Sequence, residues 1–250
     1  VENNLEKPTY NTTVIVPMRS GSKEIKNKNI KNFLDLPLYY WTIKKLYHLY
    51  KNGKINKVIV SSDSDWYLEM VKLHFGLIFD EEALILSKRI DDLATSFTTT
   101  EEVCLNELYK YGIYTGILGI VEVTSPLIPI DSLDLMLDSI DDCVDSSFII
   151  HEDIGQFWKC PRPKFEWEAL YTDRKMRQND DDTLFREVGA WAIKIERFLK
   201  DRVRIVHPCK PVIIDKLYGI SINDEIDFVN AEALMKENSA QIFKNTGIYK

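Results

Sequence analysis

With 250 residues and 45% hydrophobic side chains, the chain can bury the core of one ordinary domain, residues 1–250, or of one with a small appended lobe. A formal net charge of −7 argues against general nucleic-acid and membrane-surface binding, which need a basic face, so an anionic ligand has to be held by local cations. No apolar run is long enough to cross a bilayer, and the opening Val1-Glu2-Asn3-Asn4 has no signal-peptide core. Cys104, Cys143, Cys160 and Cys209 have neither C-x-x-C nor zinc-site spacing, so a reduced, cytoplasmic protein is expected.

The first apolar run, Val14 to Val16, reads as a buried strand that ends at Pro17. A loop follows with one glycine (Gly21), two serines (Ser20, Ser22) and three cations (Arg19, Lys23, Lys28). Pro37 opens a helix with Leu38, Trp41, Ile43, Leu46, Tyr47 and Tyr50 at helical spacing. Lys57 to Val60 is the next strand, ending in Ser61-Ser62-Asp63, and Ser64 with Asp65 caps a helix through Trp66, Met70 and Leu73. A third helix spans Thr98 to Tyr111, with Glu101 and Glu102 in its first turn. Then come a strand from Gly116 to Val123, a helix from Asp131 to Ile140 and a strand from Ser146 to Ile150. Such alternation predicts an α/β fold with a mostly parallel sheet and right-handed crossovers.

After Ile150 the rhythm breaks. His151 to Arg186 holds Pro161, Pro163, the aromatics Phe157, Trp158, Phe165 and Trp167, and the polar run Gln178 to Asp182. Aromatics need burial, so residues 151–186 read as an inserted arm completed by a partner subunit. Val188 to Ile193 and Tyr218 to Ile222 return to strand pattern, and a closing helix starts near Asp224.

A strand that feeds a glycine- and cation-bearing loop at the carboxyl edge of an open sheet is a place where α/β folds bind nucleotides. Backbone N–H groups around Gly21 can form an anion nest, and Arg19 and Lys23 can neutralise phosphate charge. A solvated basic loop accounts for the same residues. The Walker and G-x-G-x-x-G spacings are absent, which counts against P-loop kinases and NAD enzymes. As written, Pro17-Met18-Arg19-Ser20-Gly21-Ser22-Lys23-Glu24-Ile25 with Lys28-Asn29-Ile30 resembles P-A-R-x-G-S-K-G-I-x-x-K-N-I, the signature of the CMP-sialic acid synthetase family of cytidylyltransferases.

Further segments are similar to that family. Val60-Ser61-Ser62-Asp63 resembles V-S-T-D, although a strand end and helix cap explain it alone. Arg89 with Leu93-Ala94-Thr95 and Thr98-Thr99-Thr100 resembles the cytidine-holding segment R-P-x-x-L-A-x-D-x-[ST]-[ST]. Val121-Glu122-Val123-Thr124-Ser125-Pro126-Leu127 falls where the family has L-Q-P-T-S-P-L, and Arg186 to Trp191 where it has R-x-N-G-A-I-Y. The largest departure is at Gly219 to Phe228. Ser221 and Asn223 stand where the family has the two magnesium-binding aspartates of S-I-D-I-D-T-x-x-D-F, while Asp227 keeps the later one. Glu122, on a neighbouring strand end, is the carboxylate that can restore the lost charge. Asp224 and Asp227 also read simply as helix caps.

The resemblance implies a Rossmann-like nucleotidyltransferase sheet flanked by helices, a dimerisation arm, and transfer of CMP from CTP to a sialic-acid-like nonulosonic acid with magnesium as cofactor. It implies catalytic roles for Arg19, Lys23 and Lys28, and nucleotide binding by Arg19, Ser20, Gly21, Ser22, Lys23, Asn29, Arg89 and Thr98. Substrate contacts would come from Glu122, Thr124, Ser125, Lys159, Arg177 and Gln178, and metal contacts from Glu122 and Asn223. Its expected partners are CTP, a sugar acid and a second copy of the chain, with no nucleic acid or membrane. A different acid or phosphonate acceptor, or a catalytically weak nucleotide-binding homologue, fits the same departures.

Overall fold

The computed structural model describes residues 10–153, 158–160, 168–170 and 184–243. In chain order these form β1 (Thr12–Pro17), a turn of 3₁₀ helix (Lys28–Ile30), the two-residue strands β2 (Asn32–Phe33) and β3 (Leu36–Pro37), α1 (Leu38–Lys51), β4 (Lys57–Ser62) and α2 (Asp65–Phe75). Next come β5 (Leu84–Lys88), α3 (Thr100–Lys110), β6 (Ile117–Val121), α4 (Ile130–Asp138) and β7 (Ser146–Glu152). The short pair β8 (Trp158–Lys159) and β9 (Glu168–Ala169) precedes β10 (Phe185–Lys194), α5 (Ile195–Asp201), β11 (Cys209–Ile214) and α6 (Glu225–Phe243).

Seven strands make one sheet in the order β11-β7-β10-β6-β1-β4-β5. Strands β6, β1, β4 and β5 run parallel, as do β7 and β11, and β10 lies antiparallel between β6 and β7. Burial on both faces explains the continuous β-branched sequence of β1. Val14 and Val16 pack on one side with α1, α2, α4 and α6, whereas Ile15 packs on the other with Cys104 and Leu108 of α3 and Phe198 of α5. Local sequence starts the helices where expected. Pro37 precedes α1, the Ser64 hydroxyl accepts from the Tyr67 N–H at the start of α2, and Thr99 forms a reciprocal capping box with Glu102 at α3. One core position is occupied against type: Lys45 of α1 is 1% exposed, and its Nζ donates to the carbonyls of Pro126 (2.7 Å) and Ile128 (2.8 Å).

Two expectations need correction, and some strands were not foreseen. Tyr218 to Ile222 is not a strand. Lys216–Tyr218 is a single 3₁₀ turn and the residues after it are coil, stitched to the β6 end by the Ile222 N–H donating to the Thr124 carbonyl at 2.7 Å. Among the strands not foreseen are β5 and β11, the latter disguised by its Pro211. At the sheet edge one N–H can go unpaired, so proline is tolerated. His151 and Arg186, the ends of the expected arm, are paired ladder partners in β7 and β10 and so belong to the sheet. Within the arm only Trp158–Cys160 and Glu168–Leu170 are described; Phe157, Phe165, Trp167, Arg177 and Gln178 lie outside the described residues.

Candidate active site

Strand β1 leads to β4 and β5 on one side, and the chain then returns to β6 on the other. The carboxyl ends of β1 and β6 therefore flank the point where strand order reverses, the place where open α/β sheets form a crevice. A cleft lies there. Its walls are Pro17, Arg19 and Lys28 from the first loop, Arg89, Thr98, Thr99, Thr100 and Val103 around the start of α3, Glu122 and Thr124 beyond β6, and Ser221 with Asn223. Four separate segments singled out by sequence thus meet in one cavity.

The first loop is held from within. Ser20 gives its N–H (2.8 Å) and its hydroxyl (2.6 Å) to the Asp63 carboxylate at the end of β4. Burial pushes the Asp63 carboxyl up, but these two Ser20 bonds outweigh it, and it titrates below the usual carboxylate range. Buried Asn29 donates from Nδ2 to the Arg19 carbonyl at 2.9 Å, and the Tyr67 hydroxyl donates to Asn27 at 3.2 Å. Ser20 and Asn29 thus shape the loop from behind, while Arg19 borders the cleft. Gly21, Ser22 and exposed Lys23 stand outside its lining. A Cβ on Gly21 would meet only Arg19 Nη1 at 3.7 Å, so internal packing does not demand glycine there.

Lys28 crosses the cleft floor. Its Nζ donates to the Ile222 carbonyl at 2.7 Å, between the two lining residues Ser221 and Asn223. Burial lowers its proton affinity, and Glu122 and Asp227 oppose that. Arg89 forms the back wall, 4% exposed, with Nε donating to the Ser61 hydroxyl (3.2 Å) and Nη2 to the Ser61 carbonyl (2.9 Å). Thr98 is held at the rim by the Thr95 hydroxyl, 2.8 Å away.

Glu122 sits where β6 meets β10, its N–H donating to the Gly189 carbonyl and its Oε2 accepting from the Thr124 hydroxyl at 3.3 Å. Burial raises its pKa, against the pull of Arg204, Thr124 and Lys28. Gly189 is required by close approach: a Cβ there would lie 2.8 Å from Ser125 Oγ and 3.0 Å from Glu122 Cβ. Ser125 is buried, accepts from the Gly189 N–H at 3.2 Å, and so holds β10 against the loop without lining the cleft.

A second cleft shares Ser221 and Asn223 with the first. Its polar wall was missed from sequence: Asp153 binds Lys216 and Arg186, each at 2.6 Å, beside His151. The Lys216 bond, ahead of the Arg186 charge, keeps the Asp153 carboxyl low. Nothing in the spacing of these four residues announces them, since two elements of the sheet and the 3₁₀ turn bring them together. Lys159 does not join them. It is exposed and paired with Glu168 across β8–β9, 3.4 Å away.

For a magnesium ion the donor set is small. Among the described residues no three His, Cys, Asp or Glu side chains converge. Asp227 accepts from the N–H groups of Asn223 (2.8 Å) and Asp224 (3.2 Å), and Asp224 in turn caps Ile226 and Asp227, so both serve the start of α6. Glu122 remains, with Asn223 also lining the cleft; Asn223 Nδ2 is occupied by the Ser221 carbonyl at 3.0 Å, which leaves its side-chain oxygen as the donor. One carboxylate and one amide oxygen suit magnesium that keeps waters and substrate phosphates as its other ligands.

Comparison with known proteins agrees with this architecture. Solved structures of a CMP:2-keto-3-deoxy-manno-octonic acid synthetase complexed with CTP (TM-score 0.64, 11% identity) and a 4-diphosphocytidyl-2C-methyl-D-erythritol synthase (TM-score 0.64, 9% identity) each cover 91% of this chain and 99% of their own. They share its fold. An N-acylneuraminate cytidylyltransferase of Escherichia coli is 31% identical over 112 residues, a match spanning 45% of this chain but only 24% of that relative. The family model for cytidylyltransferases matches residues 13–187, from β1 through the first loop, Arg89 and Glu122 to the start of β10. The matched span is well over half of the sequence and holds most of the cleft, and the chain belongs to the cytidylyltransferase family.

Proposed function

We propose that the protein is a CTP-dependent cytidylyltransferase that transfers CMP to the hydroxyl of a sialic-acid-like sugar acid and releases pyrophosphate. The observation that supports this most is the meeting of two clefts at Ser221 and Asn223, one bordered by Arg19, Lys28 and Arg89 and the other by Arg186 and Lys216. The triphosphate lies in the first, with Arg19 and the two remaining N–H groups of Lys28 neutralising its charge and Lys23 reaching it from the open loop. Gly21 offers its backbone N–H and Ser22 its hydroxyl, since the Ser22 N–H is given to the Ser20 carbonyl at 2.9 Å. Arg89 and Thr98 orient the cytosine, while Asn29 and Ser20 keep the loop in shape. The acid lies in the second cleft with its carboxylate toward Arg186 and Lys216, and Lys159, Arg177 and Gln178 approach it from the arm of one or the other protomer of a homodimer.

The acceptor oxygen attacks the α-phosphorus in line, the bond to the β-phosphate oxygen breaks, pyrophosphate leaves, and the hydroxyl proton passes to solvent. Positioning and charge neutralisation dominate such a displacement. Magnesium, when bound, supplies further neutralisation of the phosphates, and Glu122 with Asn223 would hold it. Thr124 fixes the Glu122 carboxylate, and Ser125 fixes the strand behind it.

A panel of sugar acids and other anionic acceptors, assayed with CTP for pyrophosphate release, tests the reading. Turnover with a nonulosonic acid and not with the others is expected. CTP binding without turnover on any acid replaces it with a catalytically weak nucleotide-binding homologue, a reading favoured by Glu122 being the one carboxylate among the described residues lining the first cleft.

A further inference from the structure

Behind Arg89 lies a charged group that the reaction does not use. Glu107 of α3 is 0% exposed, yet it packs against the β4 and β5 ends. Its Oε1 accepts from the Ser61 hydroxyl at 2.6 Å and its Oε2 from the Ser87 hydroxyl at 2.5 Å. Ser87 also receives Lys110 Nζ at 2.8 Å. A buried carboxylate is costly unless hydrogen-bonded, and this one has two short partners.

We propose that Glu107 and Ser61 are positioning residues for Arg89, fixing which edge of its guanidinium faces the nucleotide. The inference rests on the reading of Arg89 as nucleotide-binding. A serine hydroxyl has one proton. Because Ser61 gives that proton to Glu107, its lone pairs turn toward Arg89 Nε, 3.2 Å away, and the Ser61 carbonyl takes Nη2 at 2.9 Å. Of the five guanidinium N–H groups two are consumed, and the other three are left for the cleft that Arg89 lines. Without the Glu107 acceptor, the Ser61 proton is free to rotate toward Nε, where two donors would face each other. The same helix supplies Thr100 and Val103 to the cleft, so α3 carries both a wall of the site and the group that orients its arginine.

Calorimetric titration of CTP into Arg89→Ala, Ser61→Ala, Glu107→Gln and Ser87→Ala, with Ser61→Ala also on the Arg89→Ala background, separates the possibilities. Arg89→Ala and Ser61→Ala should each weaken binding about tenfold or more, the order of one hydrogen bond to a charged group. Ser87→Ala touches the other carboxylate oxygen and should change affinity less than about twofold. Ser61→Ala should cost nothing further once Arg89 is gone, a coupling that a merely structural role would not produce. Equal losses in Ser61→Ala and Ser87→Ala, or additive losses in the double variant, overturn the proposal while the role of Arg89 stands. Unchanged affinity in Arg89→Ala removes that role and the proposal with it. Should Glu107→Gln fail to fold, the two serine variants still decide the question.

Discussion

Lys45 makes the stability of this protein depend on pH in a direction opposite to that of an ordinary ion pair. Burial pushes its ammonium down from 10.5 to about 7, with no carboxylate acting on it. Its folded pKa lies below its unfolded one, so between these values the unfolded chain holds more protons and stability rises with pH. The slope approaches 1.4 kcal/mol per pH unit, roughly, for one proton. From about pH 7.5 to pH 9.5 Lys45 should therefore add about 2.5 kcal/mol to the unfolding free energy. Lys45→Met keeps a long flexible side chain but removes the titration, and it leaves the carbonyls of Pro126 and Ile128 without their donor. The penalty for the two carbonyls, about 1–3 kcal/mol each, offsets the relief of the buried charge near neutrality. The variant should be close to wild type at pH 7.5 and less stable by about 2.5 kcal/mol more at pH 9.5. Urea unfolding of both proteins at the two pH values measures this difference free of the other titrating groups, provided the m values agree. A gap that stays constant across that range would refute the argument.

Other expectations follow from the cleft. Arg19→Ala should weaken CTP binding about tenfold and Lys23→Ala by less, since only Arg19 borders the cleft; calorimetry that ranks them the other way rejects this division. Glu122→Gln should remove most magnesium-dependent pyrophosphate release, whereas full activity would end the idea that Glu122 replaces the missing aspartates. Ser221→Asp with Asn223→Asp should help only if Glu122 is not already holding the ion, because carboxylates crowded together resist ionisation. Loss of the Asp227 carboxylate in Asp227→Ala should cost about 1 kcal/mol by thermal denaturation, as for other N-terminal caps. Light scattering at micromolar concentration should give a dimer, and an active monomer would sink the shared arm.

The parts of the fold legible in the sequence were those with local causes. Val14 to Val16, the Ser64 cap and the acidic first turn of α3 each carry their own signal, and the first loop carries enough polar residues in order to reveal the family. What escaped was set by neighbours distant in sequence. Leu84–Lys88 is too short an apolar run to distinguish strand from loop, and Pro211 argues against a strand unless the edge position is known. Sequence reasoning sends charges to solvent, so the burial of Lys45, Arg89 and Glu107 had no visible sign. For the same reason Ser125 was expected at the substrate but faces Gly189, and the Asp153 cluster was not foreseen.

The bond from Lys28 to the Ile222 carbonyl spans 194 positions, and Lys31 to Glu225 spans as many. Together with the Ile222–Thr124 bond, they close the cleft with the segment just before α6. During synthesis, the four neighbouring strands β5, β4, β1 and β6 can emerge and pair while this wall is still unmade. On the nucleotide reading proposed above, CTP is expected to stabilise only chains in which the segment up to Asn223 has docked. A chain cut short before Lys216 would keep all seven strands of the sheet but lack this wall of the cleft.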